Sequence, residues 1–328
     1  MYYEDRVDAT EVLDLGEVLG RGKYGTVRAA GLRSVVKTIE LRTKDEARWK
    51  NKARQSYREY VVGIIQSLIV QRRHNPHLVI HYGGKMRLSG DIYGLSLKME
   101  RFEGSLDQGS DRLFSGDAAW RSMFFQVTSG LAAMAILPGV VHNDLYPRNV
   151  LFRVLPRAID ADYVICGQAH RVRHEVFYAI ADFGICGSPL LDCGKECKPD
   201  MRLSMLQTPT LFGQTPSDQH ILKYADLPPF SRDVYVLYKW PRGGISKIAT
   251  VPLDIGRWAQ SVLSHIDQNL AEFKRPSGIV NMMAKVFDVE RMPTSSPPSL
   301  HHFSVSEGDR DALLSASAKG IERGLRGE

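Results

Sequence analysis

Val141-His142-Asn143-Asp144-Leu145-Tyr146-Pro147-Arg148-Asn149-Val150-Leu151 is the stretch whose reading decides the fold. It has the form H-x-D-L-x-x-x-N, and Asp182-Phe183-Gly184 follows downstream. At this spacing an Asp and an Asn fit at the two ends of one tight loop. The Asp can orient a hydroxyl for attack while the Asn holds a metal ion. A second carboxylate, Asp182, can hold the magnesium that bridges the phosphates of a nucleotide. Taken singly, each would read as a solvated loop carboxylate or a turn-forming Asn. In this order they form a set of parts for phosphoryl transfer.

Upstream, Leu19 leads into Gly20-Arg21-Gly22-Lys23-Tyr24-Gly25-Thr26-Val27, a G-x-G-x-x-G-x-V pattern. Its glycines let a hairpin backbone lie close over phosphates. The pattern runs into a strand-like segment and not a helix, which disfavours a dinucleotide-binding βαβ unit. Lys37 ends the apolar run Ser34-Val35-Val36 and can reach phosphate oxygens as a point charge. An acid on the following helix would fix it. Glu59 is preferred over Glu46, because Glu59 borders the apolar part of that helix.

The first hundred residues read as short strands with one principal helix, Asp45 to Arg73, whose apolar second half is expected to be largely buried. A tight hairpin is expected at Gly31. A second long helix is expected from Asp117, as N-cap, to Leu137, with Pro138-Gly139 as its stop. Further helices are expected over Ile255 to Phe273, Ile279 to Val286 and Asp309 to Arg323, with a linker at 294–299.

The chain has 328 residues, with 43% hydrophobic and 24% charged residues, which suits a globular protein with a sizeable core. Its net charge of +6 reads as a mildly basic surface, and nucleic acid is not the expected partner. The polar, acidic start Met1-Tyr2-Tyr3-Glu4-Asp5 gives no signal peptide, and no apolar run is long enough for a membrane span. Four cysteines are too few for a disulfide scaffold, so a reducing cytoplasmic or nuclear compartment is expected. Cys186, Cys193 and Cys197 lie close together but lack paired C-x-x-C spacing, and read as structural.

Together these motifs resemble a divergent eukaryotic-type protein kinase. Asn75 to Gly83 is similar to the segment that follows the family's regulatory helix. Met99-Glu100-Arg101-Phe102 resembles the gatekeeper and hinge, which implies adenine contacts at the backbone of Glu100 and Phe102 beside Met99. Ser231-Arg232-Asp233-Val234-Tyr235 resembles the helix start whose Asp braces the catalytic loop. The resemblance implies an α+β, bilobal fold. It has an N-terminal extension over 1–12, a small β-rich lobe over 13–102, a larger mainly helical lobe over 103–290 and a tail with a helix over 291–328. The implied activity is transfer of the γ-phosphate of ATP, with Mg2+, to a Ser or Thr hydroxyl of a protein substrate. Lys37 would hold phosphates and Glu59 would position Lys37. Asp144 would orient the acceptor, and Asn149 and Asp182 would hold metal.

The departures are specific. Asn143 stands where most members carry Arg, so it cannot pair with a phosphorylated activation loop. Tyr146 stands where Ser/Thr kinases place a Lys, and Arg148 is the substitute cation. The interval from Asn149 to Asp182 is longer than the family's usual hairpin, so much of Leu155 to Arg173 is expected to be a surface insertion. No A-P-E motif follows Asp182, and Tyr224 to Phe230 occupies that region. In this pared-down form the chain resembles kinases of large DNA viruses, which would act in the host cell or virion. Two other readings are a non-catalytic pseudokinase scaffold and a small-molecule phosphotransferase, whose H-x-D-x-x-x-x-N loop is similar.

Overall fold

The computed structural model describes residues 15–21, 25–42, 46–108, 116–165 and 168–187. Of the rest it describes 113, 233–234, 237, 253–268, 281–283, 285, 287, 291–292 and 301–305. Two antiparallel sheets and a small set of helices make up a mixed α+β chain.

The first sheet is built from β1 (Val18–Arg21), β2 (Thr26–Ala29), β3 (Ser34–Arg42), β4 (His81–Ser89) and β5 (Ile92–Glu100), in the order β1-β2-β3-β5-β4. Gly31 supplies the positive φ that the turn between β2 and β3 requires. Between β3 and β4 runs α1 (Glu46–Gln71), so the expectation of strands with one principal helix matches. Its second half is less enclosed than its apolar sequence suggests. Val62 and Ile69 are buried in the principal core, and Gln66 and Ser67 are buried with bonds to the Ile180 carbonyl and the His81 backbone, whereas Ile64 and Leu68 are 42% and 36% exposed. A helix resting on one edge of a sheet buries one stripe only.

After β6 (Gly104–Ser105) comes α2 (Asp117–Ile136), from a Gly116 N-cap, one residue before the expected Asp117. From Met123 to Met134 this helix is buried all the way round, as its apolar sequence requires. Each such Phe, Met or Leu contributes about 1.5–3 kcal/mol of burial. The principal core joins these side chains to Leu78, Val150, Tyr163, Tyr178 and Ile180.

The second sheet corrects the expectation for residues 155–173. They are not a surface excursion but the far half of a long hairpin, β7 (Val150–Ile165) with β8 (Gln168–Ile180). A bulge between Val154 and Ile159 resets its register. Beyond it the side chains alternate. Ile159, Ala161, Tyr163, His170 and His174 are buried, while Asp160, Arg171 and Arg173 face water. His77, Tyr163, His174 and Ser122 bond one another in a file along the inner face. His77 Nδ1 donates to the Tyr178 carbonyl at 2.8 Å, which leaves its Nε2 to accept from Tyr163 Oη at 2.7 Å. His174 Nε2 then donates to Tyr163 Oη at 2.7 Å, and its Nδ1 accepts from Ser122 Oγ at 2.8 Å.

Two strands from the tail join the second sheet. β9 (Arg291–Met292) pairs with β8, and β10 (His301–Val305) pairs with β7, so parts of 291–328 extend this sheet. Among the described residues the part after residue 102 combines helices with the long β7–β8 hairpin. α3 (Leu253–Gln268) is the helix expected over 255–273, whose last residues, 269–273, lie outside the described residues. The linker at 294–299 and the helix expected over 309–323 lie outside the described residues. Among the described residues no helix is long and apolar enough to cross a membrane.

Candidate functional site

The loop between α2 and β7 is held by Asp233 from outside it and by bonds among its own residues. The buried carboxylate of Asp233 accepts from the N–H of His142 at 2.7 Å and of Asn143 at 2.9 Å. Asn143 takes a left-handed φ of 63°, a conformation that Asn tolerates better than most side chains. His142 Nδ1 accepts from the Asp144 N–H at 3.1 Å, so its Nε2 donates to the Ala181 carbonyl at 2.9 Å. Burial pushes the His142 imidazole down to about 4, so it is neutral. It packs on Phe183 with ring centroids 4.5 Å apart. His142 thus braces the loop and takes no proton.

A 3₁₀ turn, Pro147–Asn149, then brings Asn149 back under Asp144. Asn149 Nδ2 donates to the Asp144 carbonyl at 2.7 Å and to its Oδ2 at 3.2 Å, which leaves the amide oxygen as an acceptor. Arg148 Nη2 lies 3.5 Å from Asp144 Oδ2, with its guanidinium over the Tyr146 ring at 4.3 Å. Burial raises the Asp144 carboxyl to about 6, against the opposing pull of Arg148.

Two strands, β3 and β8, and the helix α1 bring the remaining charges together. Lys37 stands on β3, paired across to Val27 and Leu97. Its Nζ lies 2.7 Å from Glu59 Oε1 on α1 and 3.4 Å from Asp182 Oδ1. Burial alone would lower the Lys37 pKa, but the charges of Glu59 and then Asp182 reverse that and raise it. Lys37 is therefore cationic. Burial acts to raise the Asp182 carboxyl too, and the cation of Lys37 more than offsets it, so Asp182 lies below the usual range. Burial raises Glu59, with Lys37 opposing. Asp182 takes a φ of 62°, and its side chain remains 46% exposed, so it faces both Lys37 and solvent.

Lys37, Glu59 and Asp182 are thus brought into contact, and Asp144 with Asn149. Lys37 pairs with Glu59, and the side chain of Glu46, its rival, lies outside the described residues. Met99 lies on β5 opposite Val35, and packs with Phe102, Leu151 and Ala181 beside Val79 and Ala179. Glu100 bonds Arg153 at 2.9 Å, and the Arg153 guanidinium also covers the Phe102 ring at 4.7 Å. Leu19, Gly20 and Arg21 lie on the exposed β1, and Val27 on β2. Gly22, Lys23 and Tyr24 fall outside the described residues. A Cβ on Gly25 would come 2.7 Å from the Thr38 carbonyl, so this glycine is required by β3 itself. Around Gly20 a Cβ would meet nothing within 4 Å, which leaves that backbone open to approach.

Sequence reasoning missed two supports. Arg58, next to Glu59, donates from Nη1 to the Cys186 carbonyl at 2.9 Å and ties α1 to the segment after Asp182. Arg153 ties β7 to the end of β5. Neither stands in a short motif, and only the fold brings it to its partner.

Among the described residues no three His, Cys, Asp or Glu side chains converge as a metal cage. Magnesium bound through phosphates needs only one or two protein oxygens beside waters. Asp182 and the free amide oxygen of Asn149 fit that need. No protein-family model matches the chain, and no curated protein matches it.

Proposed function

We propose that the chain is an ATP-dependent protein kinase of bilobal, protein-kinase-like architecture, transferring the γ-phosphate of Mg·ATP to a Ser or Thr hydroxyl. The observation that carries this reading is the contact of Lys37 with both Glu59 and Asp182, at 2.7 and 3.4 Å. A cation held between two carboxylates in a partly open site is suited to phosphate oxygens.

In this reading the backbone of β1 and β2 covers the triphosphate and the backbone at Glu100 and Phe102 meets the adenine. Lys37 binds the α- and β-phosphates. Asp182 and Asn149 hold magnesium, which when bound neutralises charge on the β- and γ-phosphates. Asp144 orients the acceptor hydroxyl and receives its proton as the oxygen bonds to the γ-phosphorus and the bond to the ADP oxygen breaks. A carboxyl raised to about 6 is ionised at neutral pH yet basic enough for that proton. Arg148, beside Asp144, supplies a cation toward the transferred group. Little covalent chemistry is asked of the protein, and turnover of about 1–100 per second is expected.

The test is transfer of labelled γ-phosphate to acidic, basic and tyrosine-containing protein acceptors, followed by phosphoamino-acid analysis. Phosphoserine or phosphothreonine, lost in Asp144→Asn, supports the reading. Transfer to small hydroxyl compounds and not to proteins would make it a small-molecule phosphotransferase. ATP binding without transfer to either would make it a pseudokinase scaffold.

A further inference from the structure

The joint between α1 and β4 contains an arrangement that the phosphoryl-transfer chemistry does not call for. A Cβ built on Gly63 would lie 2.4 Å from His81 Nδ1 and 2.5 Å from its Cγ. The imidazole therefore fills the notch left by the absent side chain. Across the same joint the arrangement is reversed. A Cβ on Gly84 of β4 would lie 2.7 Å from the ring of Tyr60, the residue after Glu59. Each element thus presents a glycine to the other's ring.

Ser67, one turn beyond Gly63 and buried, clasps the joint. Its Oγ donates to the Gly63 carbonyl at 2.8 Å and accepts from the His81 N–H at 2.7 Å. His81 Nδ1 is buried and has no hydrogen-bond partner among the described residues. Shape and Ser67, not a bond to Nδ1, hold the ring in place. Burial and then the charge of Lys37 push the His81 pKa down to about 4, so the ring seated in the notch is neutral.

Glu59 precedes Gly63 by one helical turn and lies on the same face of α1. We propose that the Gly63–His81 and Tyr60–Gly84 interlock, clasped by Ser67, sets the height and rotation of α1 that let Glu59 reach Lys37. Gly63 and His81 are then positioning residues for the phosphoryl-transfer site. This rests on the reading of Lys37, Glu59 and Asp182 as a nucleotide site. A slip or rotation of α1 on β4 would break the 2.7 Å Lys37–Glu59 contact. A displacement of about 1 Å at a reacting group costs on the order of 10²-fold in rate.

The test compares the full chain with Gly63→Ala, His81→Ala, Ser67→Ala and the double variant Gly63→Ala/His81→Ala. Two quantities are read for each. One is kcat and KM for ATP in the transfer assay. The other is the rate at which an amine-reactive ester acylates Lys37, followed by mass spectrometry, which needs no turnover. Glu59 Oε1 holds Lys37 Nζ at 2.7 Å, and an amine released from that contact is acylated faster.

Gly63→Ala is expected to lower kcat by roughly tenfold or more and to raise Lys37 acylation by roughly tenfold. Adding His81→Ala empties the notch, and both quantities are expected to return toward wild type. If Gly63→Ala does not fold, Ser67→Ala and the double variant carry the comparison. Ser67→Ala and His81→Ala should move both quantities in the same direction as Gly63→Ala but less far, and the double variant should lie between Gly63→Ala and wild type. Variants that fold yet leave acylation and kcat unchanged would overturn the proposal, as would a double variant no better than Gly63→Ala. A wild-type chain that transfers no phosphate, while acylation still shifts as expected, would defeat the functional reading and leave the interlock standing.

Discussion

Arg153 reaches from β7 to the end of β5, where its Nη2 lies 2.9 Å from Glu100 Oε1 and 2.8 Å from the Arg101 carbonyl. Both side chains are enclosed, at 6% and 17% exposure. The same guanidinium covers Phe102, which stacks on Phe177. One side chain therefore fastens the first sheet to the second at the point where adenine contacts are proposed.

Removing that cation leaves the Glu100 carboxylate enclosed and unpaired. Arg153→Met is expected to cost about 3 kcal/mol of stability, read as a lower urea midpoint. Arg153→Lys keeps the charge but loses the planar face over Phe102, and an intermediate loss is expected. In the transfer assay KM for ATP should rise more than kcat falls.

Asp144 is a carboxyl raised to about 6 by burial, so two consequences follow with opposite signs. Transfer requires the ionised form, and log kcat is expected to fall with unit slope as pH drops below about 6. For stability, the folded chain holds this proton more tightly than the unfolded chain does. The contribution is fully present below the unfolded pKa and is lost as pH rises through the folded value. At neutral pH the ionised group is a cost, and Asp144→Asn should be more stable by about 2 kcal/mol while losing transfer. A pH–rate profile and paired unfolding curves measure both.

The pairing of Lys37 with Glu59 was legible from sequence. Glu59 borders the apolar half of α1, and the acid nearest the core-facing stripe is the one able to reach a strand lysine. The brace of Asp233 on the His142 loop was legible only through the resemblance of Ser231 to Tyr235 to a helix start whose Asp braces such a loop. The far half of the β7–β8 hairpin was not. Its inward residues, Ile159, Ala161, Tyr163, His170 and His174, alternate with Asp and Arg, which is a strand signal in its own right. Pro156 and Arg157 at the bulge interrupt that alternation, and the many charges suggest a surface loop. β10 follows a Pro- and Ser-rich run and gains its pairing only from the exposed edge of β7, which no local pattern announces. Ile64 and Leu68 are exposed because α1 buries one stripe only, the one that carries Val62, Gln66 and Ile69.

The histidines of the hairpin file titrate below their ordinary range, His77 at about 3 and His174 well below normal, chiefly through burial. The unfolded chain binds these protons first as pH falls from 6.5 toward about 3, so stability is full above that window and is lost within it. Urea midpoints measured from about pH 7 to about pH 4.5 are expected to fall steadily. His77→Gln, which removes one of the titrating groups, should flatten the fall.

The account rests on Lys37, Glu59, Asp182, Asp144 and Asn149 forming one nucleotide site. Calorimetric titration of ATP into the full chain, with magnesium and then with a chelator, measures that most directly. The predicted result is saturable binding of one ATP per chain that weakens when magnesium is removed. Binding should weaken by roughly tenfold or more in Lys37→Met, a loss of about 1.4 kcal/mol or more. No saturable binding by the wild-type chain, or equal binding by Lys37→Met, would contradict the account.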